Sequence, residues 1–243
     1  MLSKNEIKDI RALGQKKFRD ERGLFVVEGE KLVEEALRSG FEIVGLYRTE
    51  DIGEEAMSRI SQLTHPSPAL AVVRQPAPAK AAPALSPDEL VLALDGIRDP
   101  GNLGTILRIA DWFGIRQVLA SEDTVEVFNP KVVQATMGAI FRVPFHYADL
   151  PSLADRIRSR GGAVYGTFLN GNNLYDRPLS NGEDAPALVI TGNESNGISP
   201  ALAAKVSDRL YIPPFPPDDP GSESLNAAVA TAVTIAEFRR RTH

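Results

Sequence analysis

The 243 residues include no cysteine. That absence excludes disulfides, thiolate metal sites and a cysteine nucleophile together. Histidine is scarce as well. His65, His146 and His243 are too scattered for a metal-ligand spacing, so no metal is expected. No apolar run approaches the roughly 18 residues that a membrane-spanning helix needs, so no membrane partner is expected. The first residues, Met1 to Glu6, have no apolar stretch behind their charges, unlike a secretory leader. A cytoplasmic protein is the natural expectation. Positive charge is in short supply too: 27 lysines and arginines face 32 aspartates and glutamates, a net charge of −5. That balance weighs against a polyanionic partner unless the cations gather locally.

They do gather near the start. Lys4, Lys8, Arg11, Lys16, Lys17, Arg19 and Arg22 share a short basic stretch. The plain reading is a solvated helix face; the sharper one is RNA contact through Lys8, Arg11, Lys16, Lys17, Arg19 and Arg22.

Residues 1–75 read as a small α/β unit. A helix is expected over 3–17, strands over 24–27, 42–48 and 69–73, and helices over 31–38 and 53–61. The segment 76–88, rich in proline and alanine, lacks the bulky side chains of a core and reads as a semi-rigid linker. Beyond it, in 89–243, strand and helix signals alternate. Strands are expected over 90–94, 117–120, 163–168, 188–191 and 210–212. Asn102 is placed to cap a helix over 103–113, and Asn129-Pro130 opens another. Ser199-Pro200 opens a third, and the last helix spans 224–240. This alternation predicts an α/β domain with a mostly parallel sheet flanked by helices and ligand loops at the carboxyl ends of the strands.

Three such loops are rich in glycine, asparagine and serine: 95–104, 191–199 and 213–226. Taken singly, each is most simply a turn. Arg108 alone reads as a surface charge, and Ser224 alone as a helix cap. The second loop is neither a phosphate loop nor a dinucleotide fingerprint, because no Gly-Lys-Ser/Thr follows and the G-x-G-x-x-G pattern is missing.

Together the loops resemble one family. Leu94-Asp95-Gly96-Ile97-Arg98-Asp99-Pro100-Gly101-Asn102-Leu103-Gly104-Thr105-Ile106-Leu107-Arg108 is similar to the first signature of the SpoU (TrmH) RNA methyltransferases of the SPOUT superfamily. Gly192-Asn193-Glu194-Ser195-Asn196-Gly197-Ile198 resembles the second. Ile212-Pro213, followed by Glu223-Ser224-Leu225-Asn226-Ala227-Ala228-Val229-Ala230, resembles the third. Within residues 1–75, Ser3-Lys4 through Arg22 and Phe25-Val26-Val27-Glu28-Gly29 resemble the ribosomal-protein-L30e-like substrate-binding domain common in that family.

The resemblance implies a C-terminal trefoil knot, S-adenosyl-L-methionine as methyl donor, and a homodimer with sites at the subunit interface. It implies methyl transfer to a ribose 2′-hydroxyl of rRNA or tRNA, with rRNA favoured by the front domain. Asn102, Arg108, Glu194, Ser224 and Asn226 match the catalytic positions. Thr167, Gly192, Asn193, Gly197, Ile212, Pro214, Ser224 and Leu225 are assigned to the donor. The resemblance casts Arg108 as activator of the hydroxyl. A guanidinium has no acceptor to offer, so binding an RNA phosphate and stabilising the developing alkoxide suits it better than acting as the base. Glu194 is the one conventional base of the set. Between Ile212-Pro213 and Ser224 the chain departs from the family in a longer segment rich in proline and aspartate. Two alternatives stay open: a catalytically inactive RNA-binding protein of the same fold, and a related base methyltransferase.

Overall fold

The computed structural model describes residues 2–77, 84–180, 185–216 and 222–241. Parts of the 76–88 linker and of the long loop before Ser224, together with His243, lie outside the described residues. The chain forms two compact units. One comprises Met1–Pro78 with Glu126–Arg142, and the other Ala79–Val125 with Val143–His243.

The first unit opens with α1 (Lys4–Ala12). Ser3 and Glu6 form a capping box there: the Ser3 Oγ accepts from the Glu6 amide and the Glu6 carboxylate accepts from the Ser3 amide. The single helix expected over 3–17 is broken at Leu13–Gln15, and α2 (Lys16–Arg22) starts afresh. Burial explains the break. Ile7 and Ile10 enter the core from α1 and Leu13 from its C-cap, whereas Arg19 enters from α2, and the turn at Gly14 redirects the chain between them. Next come β1 (Leu24–Glu28), α3 (Glu30–Arg38), β2 (Ile43–Arg48), α4 (Thr49–Ile52), α5 (Glu54–Ile60) and β3 (Ala69–Arg74). The strands form an antiparallel sheet in the order β1-β3-β2. Glu28 is buried at its edge, where its carboxylate accepts from the Ser61 hydroxyl and the Gln62 and Ser67 amides. A buried charge needs such partners.

The second unit begins with β4 (Leu90–Asp95), α6 (Pro100–Trp112) and β5 (Val118–Ala120). The chain then contributes α7 (Pro130–Thr136) and a 3₁₀ turn (Ala139–Phe141) to the first unit. Phe128 stacks on Phe25 at 4.6 Å between ring centroids, and Phe141 meets Phe41 edge-on at 5.2 Å. β6 (Phe145–Tyr147), α8 (Leu150–Ser159), β7 (Val164–Asn173), β8 (Ala187–Gly192), α9 (Pro200–Ala203), β9 (Asp208–Tyr211) and α10 (Ala227–Arg240) complete the second unit.

Its six strands are ordered β6-β5-β4-β8-β7-β9, and every pairing is parallel. β4 and β8 are buried along their whole length. This accounts for their unbroken apolar runs, since a central parallel strand is covered on both faces. On one side of the sheet Val91, Leu119, Leu153, Ile157, Leu188, Ile190 and Leu202 form a core. α10 returns to β8, where Thr231 and Thr191 share a hydrogen bond of 2.9 Å. Arg239 reaches from α10 to the C-terminal end of α6 and donates to the carbonyls of Phe113 and Gly114. This return of the C-terminal segment over β8 agrees with the trefoil knot implied by the resemblance.

Candidate functional site

Strand order reverses between β4 and β8, and their carboxyl ends open on the crevice where parallel sheets hold ligands. The first two motif loops leave the sheet at that point. The cap of α6 is Asp99, whose carboxylate accepts from the Asn102 amide at 2.8 Å. The expectation that Asn102 caps the helix is therefore corrected. Asp99-Pro100 carries the same cap-then-proline signal as Asn129-Pro130, so the sequence did hold the information.

Released from capping, the Asn102 side chain ties the loops together. Its Nδ2 donates to Glu194 Oε1 at 2.5 Å, and its Oδ1 accepts from Asn226 Nδ2 at 2.8 Å. Asn226 also caps α10, accepting from the amides of Ala228 and Val229. Ser224 is thus not the cap; it lies exposed two residues earlier. One chain of hydrogen bonds, Asn226 to Asn102 to Glu194, joins all three motifs.

The second loop is shaped by Asn193. Its Nδ2 donates to the Gly96 carbonyl at 2.7 Å, and its Oδ1 accepts from the Ser195 and Asn196 amides. Asn193 and Gly197 exchange backbone hydrogen bonds across the loop. Two glycines are required here. A Cβ on Gly192 would lie 2.3 Å from the Gly197 carbonyl carbon, and Gly197 itself adopts φ +66°. Asp95, unremarked as a site residue in the sequence, braces the loop by accepting from the Ser199 amide at 2.6 Å.

The residues assigned to the donor lie along neighbouring strand ends. Thr167 is in β7, its hydroxyl bonded to the Ile190 carbonyl of β8. Gly192 closes β8, and Asn193 and Gly197 follow it; Ile212 and Pro214 follow β9. Ile212 and Pro214 are half-buried, while Ser224 and Leu225 are exposed. This set mixes glycine backbone, apolar Ile212, Pro214 and Leu225, and uncharged polar Thr167, Asn193 and Ser224, with no lysine or arginine, a chemistry that fits the adenosine and sulfonium of S-adenosyl-L-methionine. None of the assigned residues adds a positive charge directly against the cationic sulfur.

Arg108 stands apart from the asparagine cluster. Six residues along α6 is about 9 Å of rise and two-thirds of a turn beyond one full turn. It is exposed, and no hydrogen bond or ion pair holds it among the described residues. Of the expected RNA-binding cations, Lys8, Arg11, Lys16 and Lys17 are exposed. Lys16 pairs with Asp20, and Arg22 is half-buried and pairs with Asp9. Arg19 is corrected. It is only 2% exposed, its guanidinium pairs with Glu126 and donates to the Leu13 carbonyl, and it has no path to RNA. Nothing local distinguishes its arginine from its neighbours, because its partner lies far along the chain.

Fold and loops define a parallel α/β domain with three conjoined loops at its switch point, together with a smaller unit built on an antiparallel sheet. The chain belongs to the SpoU rRNA methylase family, whose model matches residues 89–236. The model of an MRM3-like substrate binding domain matches residues 4–91. The chain is similar to the 23S rRNA (guanosine(2553)-2′-O)-methyltransferase RlmP of Bacillus subtilis, at 34% identity over 98% of this chain and 97% of that protein. A TrmH-family protein structure from Porphyromonas gingivalis superposes with a TM-score of 0.87 at 41% identity, covering 99% of both chains. The AdoMet-bound rRNA methyltransferase of Sinorhizobium meliloti superposes with a TM-score of 0.83 at 32% identity, covering 100% of this chain and 98% of that one.

Proposed function

We propose that this protein transfers a methyl group from S-adenosyl-L-methionine to a ribose 2′-hydroxyl of rRNA, working as a homodimer. The observation that carries this reading is the Asn226–Asn102–Glu194 hydrogen-bond chain, which closes three separate motifs around one crevice. The names of RlmP and of the AdoMet-bound relative support the donor, the 2′-oxygen and the class of RNA.

Bound along the ends of β7, β8 and β9, the donor supplies a methyl carbon already activated by its sulfonium, so no metal is needed. What remains for the protein is alignment and charge. Good alignment is worth on the order of 7–11 kcal/mol. The hydrogen-bonded loops hold the crevice in one shape before substrate arrives. Arg108, exposed and without a hydrogen bond or ion pair among the described residues, binds an RNA phosphate and stabilises the alkoxide that forms as the hydroxyl passes its proton to the Glu194 carboxylate. Glu194 presents the one carboxylate of the cluster, with one oxygen oriented by Asn102.

The test is titration of S-adenosylhomocysteine into wild type and Arg108→Ala, alongside methylation of rRNA with mapping of the product. Binding near one molecule per subunit is expected for both proteins. Methyl transfer should fall by about 10²–10³ in the variant. Wild-type turnover in Arg108→Ala overturns that residue's role. A methyl group on a base overturns the ribose assignment, and failure of the wild type to bind overturns the donor.

A further inference from the structure

Between Thr167 and Asn172 the chain leaves the strand ladder. Both residues sit opposite Leu210 of β9, so 168–171 form a bulge within β7, just past its pairing with β8. Arg209 holds this bulge. Its guanidinium carbon lies 3.5 Å from the centroid of the Phe168 ring. Its Nη2 donates to Asn170 Oδ1 at 2.9 Å, and its Nε donates to the Asn170 carbonyl at 3.4 Å. Gly171 lets the two backbones touch, since a Cβ there would lie 2.5 Å from the Arg209 carbonyl oxygen. The far side of the bulge is pinned separately, by Asp208 accepting from Asn172 and Arg177.

Neither Arg209 nor the bulge belongs to the three motif loops. Yet Thr167 directly precedes the bulge and Ile212 directly follows β9, and both lie on the candidate donor surface. We propose that Arg209 is a positioning residue of the donor site. By stacking on Phe168 and holding Asn170 it sets the separation of β7 and β9 at the bulge, and with it the width of the surface between Thr167 and Ile212. Leu169, between the two clamped residues, is 69% exposed. A lysine would keep the charge but has neither the planar face nor the fork of donors.

This inference rests on the proposed donor, and its test separates the two. S-adenosylhomocysteine is titrated into wild type, Arg209→Lys, Arg209→Ala and Phe168→Leu, and initial rates are measured with the donor varied. In Arg209→Ala the Kd and the donor KM should each rise about two- to fivefold, as expected for removal of a solvent-exposed cation–π stack. The kcat should stay within about twofold, because only uniform binding is weakened. Arg209→Lys should fall between. Phe168→Leu keeps an apolar side chain against the core but removes the ring, and should shift Kd in the same direction; it decides the matter should Arg209→Ala not fold. A Kd equal to wild type in Arg209→Ala or, if that fails to fold, in Phe168→Leu, overturns the proposal and leaves the donor reading standing. A loss confined to kcat also overturns it. Absence of binding by the wild type overturns both.

Discussion

Asn102 has both ends of its amide in use, and that fixes which way it faces. Its oxygen accepts from Asn226 and its nitrogen donates to Glu194. Asn226 in turn has two jobs: Oδ1 caps α10 and Nδ2 holds Asn102. The two jobs can be separated. Asn226→Asp keeps an acceptor at the cap but removes the donor to Asn102, so its unfolding midpoint in urea should stay near wild type while methyl transfer falls. Asn226→Ala removes the cap as well, and should cost a further ~1 kcal/mol of stability. Equal activity in Asn226→Asp and wild type would show that the Asn226–Asn102 hydrogen bond plays no part in methyl transfer. The motif asparagines were legible in the sequence as a group, but their bonding was not. Asn102 and Asn226 are distant in the chain, and only the sheet order brings the ends of α6 and α10 together.

At the scale of elements, α10 shows how one helix end is secured. Glu237 is buried and receives the guanidinium groups of Arg240 and Arg241. Hydrogen bonds from Arg240 first, then from Arg241, hold its carboxyl at about 2, below the usual 4.5, against the opposing effect of burial. Arg241 also donates to the carbonyls of Tyr175 and Arg177, fastening the end of the chain to the 3₁₀ turn (Leu174–Asp176) after β7. A carboxyl lowered in the folded state contributes stability that is fully present above 4.5. That contribution is lost as pH falls from 4.5 towards 2. The thermal midpoint should therefore drop over that window, and Glu237→Gln should flatten this part of the profile. An unchanged slope in Glu237→Gln would show that other carboxylates dominate. Several elements followed from local signals: apolar runs for β4 and β8, and Asn129-Pro130 for α7. The break at Gly14 did not, because it answers to which side chains must be buried.

At the scale of the whole molecule, an acidic chain is asked to bind RNA, and the cations left for that task are fewer than the sequence promised. Arg19 is committed to Glu126, and Lys16 and Arg22 have acidic partners. Lys8 and Lys17 are exposed without an ion pair among the described residues. Replacing both with alanine should weaken RNA binding and reduce the slope of log affinity against log salt by about 0.7–0.9 for each phosphate that is no longer neutralised. An unchanged slope would mean that this stretch is merely solvated. Arg19→Ala is the wrong probe, since it leaves Glu126 without its partner and tests folding instead.

Sequence alone determined the alternation of strands and helices, the parallel sheet and the three motif loops, because these depend on residues near one another in the chain. Apolar runs, caps and turn residues act over a few positions, and the chemistry of the loops can be read where it stands. Tertiary structure decided which partners those residues take. It assigned Arg19 to Glu126, gave the cap of α6 to Asp99, released Asn102 to bridge Glu194 and Asn226, and set Arg209 on Phe168. Each of these depends on hydrogen-bond geometry or burial between segments that meet only when the sheet is assembled.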